Sequence, residues 1–105
     1  MMSTTFEIST KNYITDKLAI KMAMSHMETL VGIIDGYSLS DPHEKFGWTF
    51  FKIELNSDLQ HRIEKKFSDM IEKYQLGNPT EKFTKFMTDY FATKRCNVKI
   101  KSVSV

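Results

Sequence analysis

The chain has one cysteine, Cys96, two prolines, four glycines and one tryptophan among 105 residues, and no long apolar run. A lone cysteine excludes an intramolecular disulfide, and with it the cysteine-built cages of structural zinc. It also fits a reducing compartment. No segment reaches the ~20 consecutive apolar residues of a membrane-spanning helix. The opening Met1-Met2-Ser3-Thr4-Thr5 lacks the charged-then-apolar layout of a secretory signal. The expected setting is cytoplasmic, with no membrane partner. Arginine is scarce as well: 13 lysines stand against Arg62 and Arg95. Lysine is a point charge without the fork that reads guanine or clamps phosphate, which argues against base-specific reading of duplex DNA.

Catalytic signatures are missing too. Gly32, Gly36, Gly47 and Gly77 are dispersed and form neither a P-loop nor a dinucleotide fingerprint. No G-x-S-x-G is present. His26, His43 and His61 lack the spacing of H-E-x-x-H. Asp41, His43 and Glu44 share one loop, which reads as a solvated turn because a metal site needs three or four converging ligands. Cys96 has no histidine near it in sequence and reads as a buried, inert thiol. The expectation is a non-enzymatic protein with no catalytic residues, no cofactor and no metal.

What is present suits a folded domain. The apolar share of 41% and the charged share of 27% are those of a globular chain, so residues 1–105 are expected to form a single α+β domain. A net charge of +2 is too small by itself to imply a polyanionic partner.

Thr5 to Thr10 alternates, with Phe6 and Ile8 inward, and reads as a strand. Asn12 or Thr15 then caps a helix running to Asp35, with Ala19, Ile20, Ala23, Met24, Met27, Leu30, Val31 and Ile34 as its core stripe and Gly36 as its stop. Tyr37 to Ser40 reads as a brief edge strand and Asp41-Pro42 as a turn. Ser57 opens a second helix with capping-box spacing; Leu59, Ile63, Phe67, Met70, Ile71 and Tyr74 line it up to Leu76-Gly77. Asn78-Pro79-Thr80-Glu81 starts a third, lined by Phe83, Phe86, Met87, Tyr90 and Phe91. Asn97 to Val105 is a strand, with Val98 and Ile100 opposite Lys99 and Lys101; at Ser102 the parity changes toward Val103 and Val105.

These elements predict an α+β fold: one small mixed or antiparallel sheet of three to four strands, with three helices packed on one face. Two helices between strands predict that the last strand runs antiparallel to the aromatic one.

The aromatic strand is Lys45 to Leu55, the most apolar run of the chain. Read with period two, Thr49, Phe51, Ile53 and Leu55 share one face, and Phe46, Trp48, Phe50, Lys52 and Glu54 the other. Lys52 and Glu54 require water, so their face is the open one, and continuous pairing puts Trp48 and Phe50 there too. Only a bulge would turn those two rings into the core.

Two partners suit such a face. Exposed Trp and Phe beside lysine are typical protein-interface anchors, so the leading expectation is contact with a protein or with a second copy of the chain, through Phe46, Trp48, Phe50, Lys52, Lys99 and Lys101. Small lysine-rich proteins without motifs are often accessory proteins of phages or mobile elements, and inhibition of a host enzyme is one form this contact takes. The alternative is single-stranded nucleic acid. Gly47-Trp48-Thr49-Phe50-Phe51-Lys52-Ile53 partly resembles the central-strand octet of the RNA-recognition motif, [K/R]-G-[F/Y]-[G/A]-F-V-x-[F/Y]. The resemblance implies that Trp48 and Phe50 stack on bases, with Lys52, Lys99 and Lys101 supplying charge. Phe46 departs from that pattern at its basic position, Ile53 at its last aromatic, and Glu7 sits where the family's second motif is apolar; the second strand is barely present, and an extra helix intervenes before the last strand.

Overall fold

Alternation in the first strand decides which way the sheet faces. In the computed structural model, which describes residues 4–75, 77–96 and 98–103, β1 (Thr4–Thr10) buries Phe6, Ile8 and Thr10 and leaves Thr5, Glu7 and Ser9 on the other side. It pairs antiparallel with β4 (Trp48–Leu55), without a bulge, from Thr4 opposite Leu55 to Thr10 opposite Thr49. Thr49, Phe51, Ile53 and Leu55 are therefore buried on the same side as Phe6 and Ile8.

The other elements are α1 (Tyr13–Val31), β2 (Tyr37–Leu39), β3 (His43–Lys45), α2 (Ser57–Lys66), α3 (Ser68–Glu72), α4 (Pro79–Thr93) and β5 (Lys99–Ser102). They form one open antiparallel sheet of five strands, in the order β2-β4-β1-β5, with β3 also pairing β4, and four helices. Leaving β3 aside, the strands follow the connectivity of the split β-α-β-β-α-β arrangement, but three helices, α2, α3 and α4, stand between β4 and β5 where it has one. The expected α+β class holds, with β3 and a fourth helix added. β2 and β3 divide one edge of β4 between them, and Ser40 bridges the gap by exchanging hydrogen bonds with the Lys52 backbone at 2.9 and 2.7 Å. β1 holds the opposite edge of β4, so β5 is left with the free edge of β1. β5 and β4 are both antiparallel to β1 and so run in the same direction, contrary to the sequence expectation.

The helices cover the buried side only. Ile20, Ala23, Met24 and Met27 of α1, Leu59 and Ile63 of α2, Ile71 of α3, and Phe83, Phe86, Met87 and Phe91 of α4 form one cluster with the inward strand residues. Each such apolar side chain contributes ~1.5–3 kcal/mol when removed from water. Phe6 stacks on Phe83 at 6.0 Å, and the Tyr90 hydroxyl donates to the Ala23 carbonyl at 2.6 Å, tying α4 to α1.

Several boundaries move. α1 stops at Gly32, which adopts φ +74°, so Ile34 lies beyond the helix and is 82% exposed, and Leu30 is exposed as well. The cap of α2 is Asn56, one residue earlier than expected, accepting from the Leu59 N–H at 2.8 Å. The second helix breaks at Phe67, whose ring meets Phe86 at 5.2 Å, and Met70 is exposed beyond the break. Asn78 caps α4 as its sequence implies, accepting from the Glu81 N–H at 2.9 Å. Leu76 and the Asn97, Ser104 and Val105 portion of the tail lie outside the described residues.

Gly36 is not the helix stop. It is buried between α1 and α2, its N–H donates to Glu28 at 2.7 Å, and its carbonyl accepts from the Asn56 N–H at 2.8 Å. A Cβ there would lie 2.8 Å from the Leu59 Cβ. Gly36→Ala is expected to lower stability by about 1–3 kcal/mol through overpacking, read as a shifted urea midpoint with an unchanged slope. An unshifted midpoint would contradict the tight contact.

Candidate functional site

The side of the sheet away from the helices is assembled from alternate residues of four strands. β4 contributes Trp48, Phe50, Lys52 and Glu54. Opposite them on β1 stand Ser9 against Phe50, Glu7 against Lys52 and Thr5 against Glu54, and Lys11 continues the same parity. β5 adds Lys99 against Ser9 and Lys101 against Glu7. β3 adds His43 against Phe50 and Lys45 against Trp48.

The aromatic pair is half-buried, the lysines and Glu54 around it are exposed, and Glu7 is partly buried. The ammonium groups of Lys11 and Lys99 lie 4.8 and 5.0 Å from the centre of the Trp48 ring. The His43 ring stacks on Phe50 at 5.6 Å and 20°. Glu7 sits between the lysines of two neighbouring strands and pairs with Lys101 at 3.5 Å. Among the described residues, Lys11, Lys45, Lys52 and Lys99 form no ion pair. Five lysines against Glu7 and Glu54 leave three surplus positive charges on this face, in a chain whose net charge is +2.

The structure thus brings together Trp48, Phe50, Lys52, Lys99 and Lys101 on one face. Phe46 differs: it is not a strand residue but the first residue of the two-residue turn between β3 and β4, at φ +54°, and its ring is 90% exposed. Three members of the face were not placed on it from the sequence, where His43 reads as part of a solvated turn. Lys11 was legible as the next residue on the Glu7–Ser9 parity. His43 and Lys45 were not, because β3 is only three residues long and its turn begins with Phe where Asn, Asp or Gly is usual. A second missed feature is the exposed row Ile14, Leu18 and Met22 along α1.

The chemistry available elsewhere is limited. A cleft of about 580 Å³ lies where the start of α1 meets β3, between Lys11, Tyr13, Ile14, His43 and Thr49; neither Cys nor Ser lines it. His26, His43 and His61 are exposed on three different elements. Among the described residues, no three His, Cys, Asp or Glu side chains converge as metal ligands. Nor is any helix among them long and apolar enough to cross a membrane. Cys96 is buried, and burial, helped by the charge of Asp16, pushes its thiol up to about 11. It therefore stays protonated and unreactive at neutral pH. Comparison with protein-family models, with curated proteins and with solved structures finds no match to this chain.

Two outcomes follow from this geometry. Phe51→Ala, on the buried side of β4, is expected to cost ~3–5 kcal/mol of stability, whereas Trp48→Ala costs about 1 kcal/mol because its ring is already partly solvated. Equal losses in paired denaturant melts would contradict the assignment of faces. Alkaline pH is expected to weaken the fold. Burial raises Cys96 from 9.0 to about 11 and Tyr90 from 10.0 to about 12. The unfolded chain then ionises first, so this stabilisation is whole below pH 9 and is lost as pH rises through 11 and 12. Urea midpoints that do not fall between pH 8 and pH 11 would contradict the burial of these groups.

Proposed function

We propose that the open sheet face binds single-stranded nucleic acid, with bases stacking on Trp48 and Phe50 and phosphates meeting the surrounding lysines. The observation that carries this reading is the position of Trp48. Its ring lies on a central strand, with the ammonium groups of Lys11 and Lys99 each about 5 Å from its centre. Magnitudes favour exchange. Two exposed cation–π contacts are worth ~1–2 kcal/mol together, a base stacked on an aromatic side chain ~1–3 kcal/mol, and the phosphate contacts that the two lysines gain tip the balance. A base displaces the lysines from the ring, and the lysines then find phosphates next to it. The partial octet Gly47 to Ile53, on an inner strand of the sheet, supports the same reading by resemblance, although three helices stand before the last strand where the family has one. Recognition is of strand and charge, with little sequence preference, since the face has lysines and no arginine. No catalytic step is assigned to it.

Contact with a protein is the second reading, and the exposed Phe46 ring and the row Ile14, Leu18 and Met22 favour it. The lysines count against sheet-to-sheet pairing of two copies, which would bring two positive faces together. A protein partner for this face has to supply carboxylates, as an enzyme bound in place of its polyanionic substrate would.

Oligonucleotide binding and its salt dependence test the first reading. Affinity for a fluorescent oligothymidylate or oligouridylate is expected to fall with a log–log salt slope of about −2 to −3, since each phosphate neutralised on a single strand adds about −0.7. Lys99→Ala is expected to reduce that slope by about 0.7, while Trp48→Ala lowers affinity about tenfold and leaves the slope alone. Absence of oligonucleotide binding at low salt, or a slope near zero, would overturn the proposal.

A further inference from the structure

We infer that Phe46 is a third stacking platform, which takes the base adjoining the one on Trp48 and makes the β3–β4 turn part of the binding surface. This rests on the nucleic-acid reading of the face and adds to it a residue that the fold itself does not need. The turn Phe46-Gly47 joins Lys45 directly to its partner Trp48, and both residues have positive φ, +54° and +79°, the signature of a type I′ hairpin turn. Its first position favours Asn, Asp or Gly, because a side chain branching into a ring is strained in the left-handed region. Phe46 is strained there and gains little packing in return. Its ring is 90% exposed, with the Lys45 ammonium 5.6 Å from its centre. Backbone preference and the hydrophobic effect both disfavour Phe at this position, and such an outlier points to a contact made outside the fold.

The surroundings of the ring indicate what that contact is. Phe50 and Trp48 are alternate residues of β4, so their rings follow one another at a step of about 7 Å, and Phe46 lies just beyond them in the turn, beside Lys45, the residue paired with Trp48. That step is about twice the 3.4 Å axial rise per nucleotide along one strand of a stacked duplex. Two platforms at this spacing, with a third ring beyond them in the turn, suit an extended strand whose bases are splayed apart. Lys45 supplies a cation at the third platform, as Lys11 and Lys99 do at Trp48.

The test is Phe46→Asn, which gives the turn its preferred Asn-Gly sequence. The melting temperature is expected to rise by a few degrees, because the left-handed strain is relieved. Affinity for an eight-nucleotide oligothymidylate is expected to fall about fivefold or more, and the salt slope to stay unchanged because no charge is removed. A residue with a merely structural role would not move stability and affinity in opposite directions. Should the variant melt lower, Phe46→Tyr and Phe46→Leu decide: affinity kept by Tyr and lost by Leu supports the platform, and equal affinities overturn it. Undiminished affinity of Phe46→Asn, with the wild type binding, overturns this inference and leaves the proposed function standing. A wild type that binds no oligonucleotide overturns both. Oligonucleotide affinity unchanged by Phe46→Asn, with self-association lost in sedimentation, assigns the ring to a protein contact and overturns the platform.

Discussion

The unbroken pairing of β1 with β4 is the constraint on which the rest of the structure depends. Seven consecutive pairs run from Thr4–Leu55 to Thr10–Thr49 with no inserted residue. A slip of one residue would send Phe51, Ile53 and Leu55 to solvent and press Trp48, Phe50, Lys52 and Glu54 against the helices. Burial of Lys52 and Glu54 would cost several kcal/mol per ion, while the core would lose its largest side chains. Both penalties act in the same direction, so the register is held from both faces at once. The helices follow from it: only one side of the sheet is apolar, and α1, α2 and α4 bury their stripes there.

The same pairing organises the open face. With β1 between β4 and β5, Lys99 crosses β1 to approach a ring on β4. Glu7, midway between Lys52 and Lys101, lowers the mutual repulsion of the lysines without cancelling their surplus. Surface ion pairs of this kind contribute little to stability, ~0–1 kcal/mol, so the arrangement has more to offer a ligand than the fold. In the proposed function, the two ammonium groups over Trp48 give way to one base and each gains a phosphate.

Much of this was legible in the sequence, for reasons specific to each element. Period-two alternation in Thr5–Thr10 and around Phe51 placed two strands and their faces, because burial on one side enforces it. Asn78-Pro79-Thr80-Glu81 announced α4, since capping chemistry is local. Local chemistry does not tell where a helix ends when two glycines compete: Gly32 stops α1, whereas Gly36 is needed for its contact with Leu59. The break at Phe67 was hidden because the apolar stripe continues through it and the ring's partner, Phe86, is distant in sequence. Phe46 was read as a strand residue because it fits the alternation; only the φ values of Phe46 and Gly47 show the turn. The direction of β5 followed from which sheet edges were already occupied, which no single segment encodes.

Trp48 is the chain's only tryptophan, so its intrinsic fluorescence reports on the one ring at the centre of the account. The most direct measurement is therefore titration of the unlabelled protein with a short single-stranded oligonucleotide while tryptophan emission is followed at low and high salt. Stacking of a base on Trp48 predicts saturable quenching whose midpoint moves to higher oligonucleotide concentration as salt rises. Emission that stays constant at low salt, through oligonucleotide concentrations far above that of the protein, would contradict it.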